Sequence, residues 1–145
     1  VRNYRDWGIP LGRRFRALKF WFLVREQGVH GLQARLRRDL DNAQWLAAQL
    51  RATPGWSVLA PVPLQTLCVR HMPSGVEGAA LDAHTQRWCD AINRAGQAYL
   101  TPAILDGPRV VRVSIGSEVT ERAHVERLWG IMREAAAQSA AELVS

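Results

Sequence analysis

At 145 residues, 48% of them hydrophobic and 22% charged, the chain is long enough to bury a core and too apolar for intrinsic disorder. Its formal charge of +6 and pI near 10.6 invite a nucleic-acid reading, but the arginines are scattered and alternate with acids on helices. The short cluster Arg35, Arg37, Arg38 is followed at once by Asp39 and Asp41, which suits a solvated helix face better than a phosphate-tracking groove. The longest apolar run, Phe20 to Val24, falls far short of the roughly 18 residues of a membrane span, and Cys68 and Cys89 lack metal-ligand spacing.

Residues 1–12 read as an extended arm, since Gly8, Pro10 and Gly12 discourage regular structure and Pro10 pushes Ile9 toward extended backbone. Residues 13–27 then carry Phe15, Leu18, Trp21, Phe22 and Arg25 at helical spacing, and Gly28 to Gly31 interrupts that helix. A second helix is expected over 32–52, with Leu32, Leu36, Leu40, Ala43, Ala47 and Leu50 on one side, stopped by Thr53-Pro54-Gly55. Residues 56–59 and 64–71 read as strands, the second alternating Leu67 and Val69 with Cys68 and Arg70. A helix over 77–95 directs Leu81, Trp88 and Ile92 inward. Residues 99–105 and 109–115 form a hairpin about Asp106-Gly107. A last helix follows Thr120 as its N-cap, has Glu121 in its first turn, and buries Val125, Leu128, Trp129 and Met132. Helix, helix, strand, strand, helix, strand, strand, helix predicts an α+β two-layer sandwich: a small, mostly antiparallel sheet covered by helices on one face. The arm 1–12 thus precedes a single domain, 13–145.

Chemistry-bearing residues are few. Gly12, with Arg13 and Arg14, sits where the arm meets a helix, a place where backbone N–H groups can approach an anion. Arg112 alternates with Val111 and Val113 and so projects from the opposite face of its strand. A guanidinium there can grip a carboxylate through two parallel hydrogen bonds, or form a structural salt bridge. His124 precedes the inward Val125, His30 lies in the glycine-rich break, and His71 and His84 read as surface positions. No pair of histidines has metal-ligand spacing. Trp21, Trp45, Trp88 and Trp129 fall near apolar stripes and read as core, whereas Trp7 on the arm needs a partner surface. Both cysteines read as buried free thiols. Lys19, the only lysine, lies inside an amphipathic helix as a solvated or snorkelling residue.

The run Tyr4-Arg5-Asp6-Trp7-Gly8-Ile9-Pro10-Leu11-Gly12-Arg13-Arg14-Phe15-Arg16-Ala17-Leu18-Lys19 is long, unbroken and rich in rare residue types. It resembles the segment that opens the C-terminal part of the pyridoxal-phosphate-dependent group II decarboxylases, the aromatic-L-amino-acid decarboxylases among them. Gly28-Val29-His30-Gly31-Leu32-Gln33 follows at the family's spacing, and Arg112-Val113-Ser114, Thr120 and His124-Val125 also fit. The resemblance covers nearly the whole chain. It implies the C-terminal small domain of a fold-type I enzyme, with the large cofactor-binding domain expected before Val1. Such enzymes use a lysine amine to hold pyridoxal 5'-phosphate, and the family places it after a His or Asn. Lys19 follows Leu18, so the Schiff-base lysine is expected elsewhere and the chain alone is expected to be inactive.

The resemblance further implies a carboxy-lyase that removes the α-carboxyl group of an aromatic L-amino acid as carbon dioxide, the cofactor ring acting as electron sink. It places Arg5, Trp7 and Gly12 at a homodimer interface, with Gly12 near the cofactor phosphate of the other subunit. Arg112 would meet the substrate carboxylate, as the matching arginine does in related glutamate decarboxylases. A cytoplasmic enzyme with no metal, nucleic-acid or membrane partner is expected. Two other readings suit a small basic α+β domain. A nucleic-acid-binding module would show salt-dependent affinity for RNA or DNA, and a protein-interaction module would need no cofactor.

Overall fold

The computed structural model describes residues 14–143, and packing divides the chain into residues 1–34 and 35–145. Helix α1 (Arg16–Ala52) is interrupted at Gly28, whose φ of 68° and ψ of 168° lie outside the helical region. The break expected at Gly28 is therefore present, but helical geometry resumes at once. In the first unit, Trp21 and Phe22 meet edge to face with ring centroids 5.0 Å apart, and Arg25 lies 5.7 Å over the Trp21 ring. Trp21 is 53% exposed and Phe15 72%, so the expectation that Trp21 packs in a core is corrected. Helical spacing gathers these apolar residues on one side but does not supply a surface to cover them.

The second unit holds the core. The remainder of α1 buries Asp39, Asn42, Ala43, Leu46, Ala47 and Leu50. Leu36, expected on that stripe, is exposed, because it lies almost a full turn before the first buried residue. Strands β1 (Trp56–Val58) and β2 (Thr66–His71) lead to α2 (Gly78–Ala95). Strands β3 (Thr101–Ile104) and β4 (Arg109–Ser114) lead to α3 (Arg122–Ala141). The sheet runs β1-β2-β4-β3 with every neighbour antiparallel, which is the two-layer α+β arrangement expected. The β3–β4 turn holds Asp106 at φ 50° and Gly107 at φ 111°, with Leu105 N–H donating to Pro108 O at 3.0 Å. Two consecutive positive φ values give the turn a twist that suits a tight hairpin, and Gly takes the more open one.

One face of the sheet, carrying Leu67, Val69, Val111 and Val113, joins the helices in a single core cluster. Each fully buried aliphatic side chain such as Leu46, Leu67 or Ile92 contributes about 1.5–3 kcal/mol of transfer free energy. Trp56 of β1 lies edge to face with both Trp88 of α2 and Trp129 of α3, at 5.6 and 5.0 Å between centroids. That cluster locks two helices onto the sheet. Leu81, Trp88, Ile92, Val125, Trp129 and Met132 are buried as expected, while Trp45 and Leu128 are partly buried at the margin.

The helix ends are set by local bonds. Gly96 closes α2 in the left-handed region at φ 70°. Asn93 clamps the following loop, donating to Leu100 O at 2.8 Å and accepting from Leu100 N–H at 2.7 Å. The N-cap of α3 is Glu121, one residue after the expected Thr120. Glu121 is extended and shares a capping box with His124, whereas Thr120 N–H is taken into a turn by Ser117 O. The basic cluster of α1 proves structural in part: Arg35 donates to Gly116 O at 3.1 Å and Arg38 to Glu118 O at 2.8 Å. Those bonds hold the β4–α3 connection rather than present a groove.

Candidate functional site

Strand alternation leaves the other face of the sheet to Cys68, Arg112 and Ser114, with Thr66 and Thr101 beside them. Because β4 is an interior strand, Arg112 stands near the middle of this face, directly opposite Cys68 on β2 and Thr101 on β3. Its side chain is exposed and has no hydrogen bond or ion pair among the described residues. Among the described residues, the structural salt bridge considered from the sequence has no partner for Arg112. Ser114 Oγ and Thr66 Oγ1 lie 3.3 Å apart on the same face, one register step from the Cys68–Arg112 pair. A flat, two-pronged donor set on a rigid strand is well suited to a carboxylate.

A recess of about 240 Å³ adjoins this region, walled by Ser114, Ser117, Thr120, His124 and Arg127. Binding sites for small molecules usually occupy roughly 300–1,000 Å³, so the recess alone is too small for a complete one. His124 is accounted for by the fold. Its Nδ1 accepts the Glu121 N–H at 3.1 Å, which leaves it as a helix cap.

The remaining expectations separate. Arg5, Trp7 and Gly12 lie outside the described residues. Lys19 lies open to solvent on α1. A lysine that holds a carbonyl cofactor needs a desolvated or electropositive pocket to keep its amine free. Lys19 has no such pocket among the described residues. Cys68, expected buried, is only partly so, because alternation turns it to the open face; Cys89 is buried. Burial, reinforced by Asp90, pushes the Cys89 thiol up to about 11, which keeps it neutral and unreactive at physiological pH.

The histidines correct the sequence reading most. His84 is fully buried and His71 half-buried, not at the surface. His71 Nδ1 lies 2.9 Å from His84 Nε2, and His84 Nδ1 lies 3.0 Å from Ser139 Oγ of α3. The signal was present in the sequence. His84 falls three residues after Leu81 and four before Trp88, on the inward stripe of α2, and His71 continues the Leu67, Val69 alternation. Burial holds His71 below its ordinary value. Burial, then the charges of His71 and Arg87, lowers His84 to about 4, with the contact to Ser139 opposing.

With this geometry in place, three comparisons bear on the chain. Residues 1–72 match the pyridoxal-dependent decarboxylase conserved domain. An aromatic-L-amino-acid decarboxylase of Sus scrofa is 36% identical over 138 residues, which are 95% of this chain and 27% of that protein. A phenylacetaldehyde synthase of Arabidopsis thaliana is 32% identical over 136 residues, 94% of this chain and 28% of that protein. The crystal structure of Catharanthus roseus tryptophan decarboxylase in complex with L-tryptophan superposes with a TM-score of 0.79 at 29% identity, over 94% of this chain and 28% of that one. The chain thus spans a little over a quarter of the length of these relatives.

Proposed function

The chain belongs to the family of pyridoxal-dependent decarboxylases, and from that premise we propose that it is the C-terminal domain of an aromatic-L-amino-acid carboxy-lyase. Pyridoxal 5'-phosphate would be bound mainly by the part of the family chain that this domain lacks. The domain's own task is to complete the cleft, with Arg112 binding the substrate carboxylate. The observation that carries this reading is the exposed Arg112 on an interior strand, without a hydrogen bond or ion pair among the described residues and next in register to the Thr66–Ser114 pair of hydroxyls. An exposed arginine with no partner is free to take one, and a rigid strand fixes its direction.

A second observation supports the partner assignment. Phe20, Trp21 and Phe22 of α1, and Phe15 just before it, are all more than half exposed. A contiguous aromatic surface of that kind is an interaction surface. We assign its cover to the enzyme's large domain, and assign Arg5, Trp7 and Gly12 of the preceding segment to a two-fold dimer interface, Gly12 near the cofactor phosphate. A cytoplasmic location suits two unpaired thiols, and no helix among the described residues is long and apolar enough to cross a membrane.

The test is made on the full-length enzyme with tyrosine, dopa, tryptophan and phenylalanine, measuring carbon dioxide release. Arg112→Lys should lower kcat/KM by a factor equivalent to about 1.5–3 kcal/mol, because an ammonium cannot reproduce the bidentate fork. Thermal stability should be nearly unchanged. Normal kcat/KM with lowered stability would reject the role of Arg112. Amine and aldehyde products should be separated in the same assay, since a phenylacetaldehyde synthase is among the relatives. The 145-residue chain alone should release no carbon dioxide and show no saturable absorbance change with pyridoxal phosphate, with or without Lys19→Ala.

A further inference from the structure

We infer that Gly28 is a bend built into α1 to seat its aromatic face: residues 16–27 reach the large domain only with the chain turned at this glycine. The role of Gly28 presupposes that the large domain covers that face, as proposed, and names the residue on which the covering depends.

Gly28 stands at φ 68° and ψ 168°, in a region of backbone space essentially closed to every residue with a side chain. A peptide turned that way cannot carry the i→i−4 ladder through the residue, so the helix forfeits bonds there. Abrupt bends have identifiable causes, among them proline, small residues such as glycine, and a side chain wedged into the ladder. α1 holds no proline. A Cβ added at Gly28 would meet nothing within 4 Å beyond the adjoining backbone, so the position demands a conformation rather than space. From Arg14 to Arg38 no residue is buried, and Asp39 is the first that is. Among the described residues, no buried contact along this stretch offsets the cost of the bend.

Gly31, three residues on, behaves differently. It lies in the resumed helix with ordinary helical backbone, and a Cβ there would touch Gln27 Cβ at 3.5 Å, a normal contact. The conformation of Gly31 is therefore open to any good helix former, and that of Gly28 to glycine alone.

On the amino side of the bend stand Phe20, Trp21 and Phe22, each more than half exposed. A backbone outlier that its own surroundings do not stabilise points to a use elsewhere. The chain spans 27% of the Sus scrofa relative, so an enzyme of that length has a large remainder from which to form the cover. Straightened at Gly28, residues 16–34 would form one rod, and the aromatic face would turn away from a surface shaped for the bent form.

Amide hydrogen exchange on the full-length enzyme, resolved at residues 16–27, tests the bend. The wild type should be protected there. Gly28→Ala, whose side chain excludes the bent backbone, should exchange at least about tenfold faster over 16–27. Gly31→Ala should stay within about threefold of the wild type. Wild-type protection in Gly28→Ala would overturn the bend and leave the covering assignment intact. Rapid exchange over 16–27 in the wild type itself would reject the covering assignment, and the role of Gly28 with it. Should Gly28→Ala fail to fold at full length, the 145-residue chain decides, since its buried residues begin only at Asp39. There, carbon-13 shifts at residues 26–30 should move to helical values in Gly28→Ala as the rod replaces the bend. Shifts that keep the bend would overturn the inference, because alanine would then hold a conformation that only glycine should hold.

Discussion

Two helical stretches of this molecule carry the same kind of pattern and meet different fates. In α2, Leu81, Trp88 and Ile92 repeat at helical spacing and are buried, Trp88 completely. At the start of α1, Leu18, Trp21 and Phe22, with Phe15 just before the helix, repeat in the same way and remain open to solvent. Amphipathic spacing reports that a face is built to be covered. It does not report what covers it, and of these two faces only that of α2 is buried among the described residues.

The largest consequence falls on Trp88. Replacing it with alanine removes a fully buried indole and the ring on which Trp56 leans, at 5.6 Å. Trp88→Ala should cost about 3–5 kcal/mol, a large part of the 5–15 kcal/mol of a typical domain. The midpoint of urea unfolding, followed by near-ultraviolet circular dichroism, checks this. A loss below about 1 kcal/mol would mean that the α2 face is no better covered than that of α1.

Next comes Arg70, where a charge rather than a ring ties α2 to the sheet. Its guanidinium pairs with Asp82 and is nearly buried, while Asp82 also accepts the Arg109 N–H at 3.0 Å. Arg70→Met leaves Asp82 half-open to water and still bonded to Arg109. The loss should be about 1–2 kcal/mol, well below that of an orphaned buried charge. His124→Ala is smaller again. It removes one of the two reciprocal bonds of the α3 capping box and should cost about 0.5–1 kcal/mol.

The elements were legible in the sequence because their signals are local. Alternation in Leu67 to Val69 and in Val111 to Ser114, the Asp106-Gly107 turn, and the spacing of Leu81, Trp88 and Ile92 each settle within a few residues. Arg112 was legible for the same reason, since a strand with two valines pointing one way must point the residue between them the other. What was missed depends on tertiary neighbours or on a property averaged over residue types. His84 lies on a stripe that its polarity argues against, and only His71 and Ser139, 13 and 55 residues away in sequence, make it tolerable there. Thr120 is a better cap by type than Glu121, but it belongs to the turn that its N–H closes onto Ser117 O, and the helix begins one residue later, at Arg122.

The smallest expected effect is the one that most sharpens the comparison. Trp21 has the same side chain as Trp88, yet it is 53% exposed and, among the described residues, its ring meets Phe22 and Arg25 of its own helix. In the 145-residue chain, Trp21→Ala should change stability by less than about 0.5 kcal/mol, the usual size for a surface substitution. In the full-length enzyme the same substitution should cost about 2–4 kcal/mol, approaching the value for a buried aromatic, if the aromatic face is covered as proposed. Urea titration of both proteins, each with and without the change, gives the contrast directly. Equal small losses in both would leave the face uncovered in the longer protein and remove the support it lends to the large-domain assignment. The carboxylate role of Arg112 would stand apart from that result, because it rests on the opposite face of a sheet whose packing Trp21→Ala is not expected to alter.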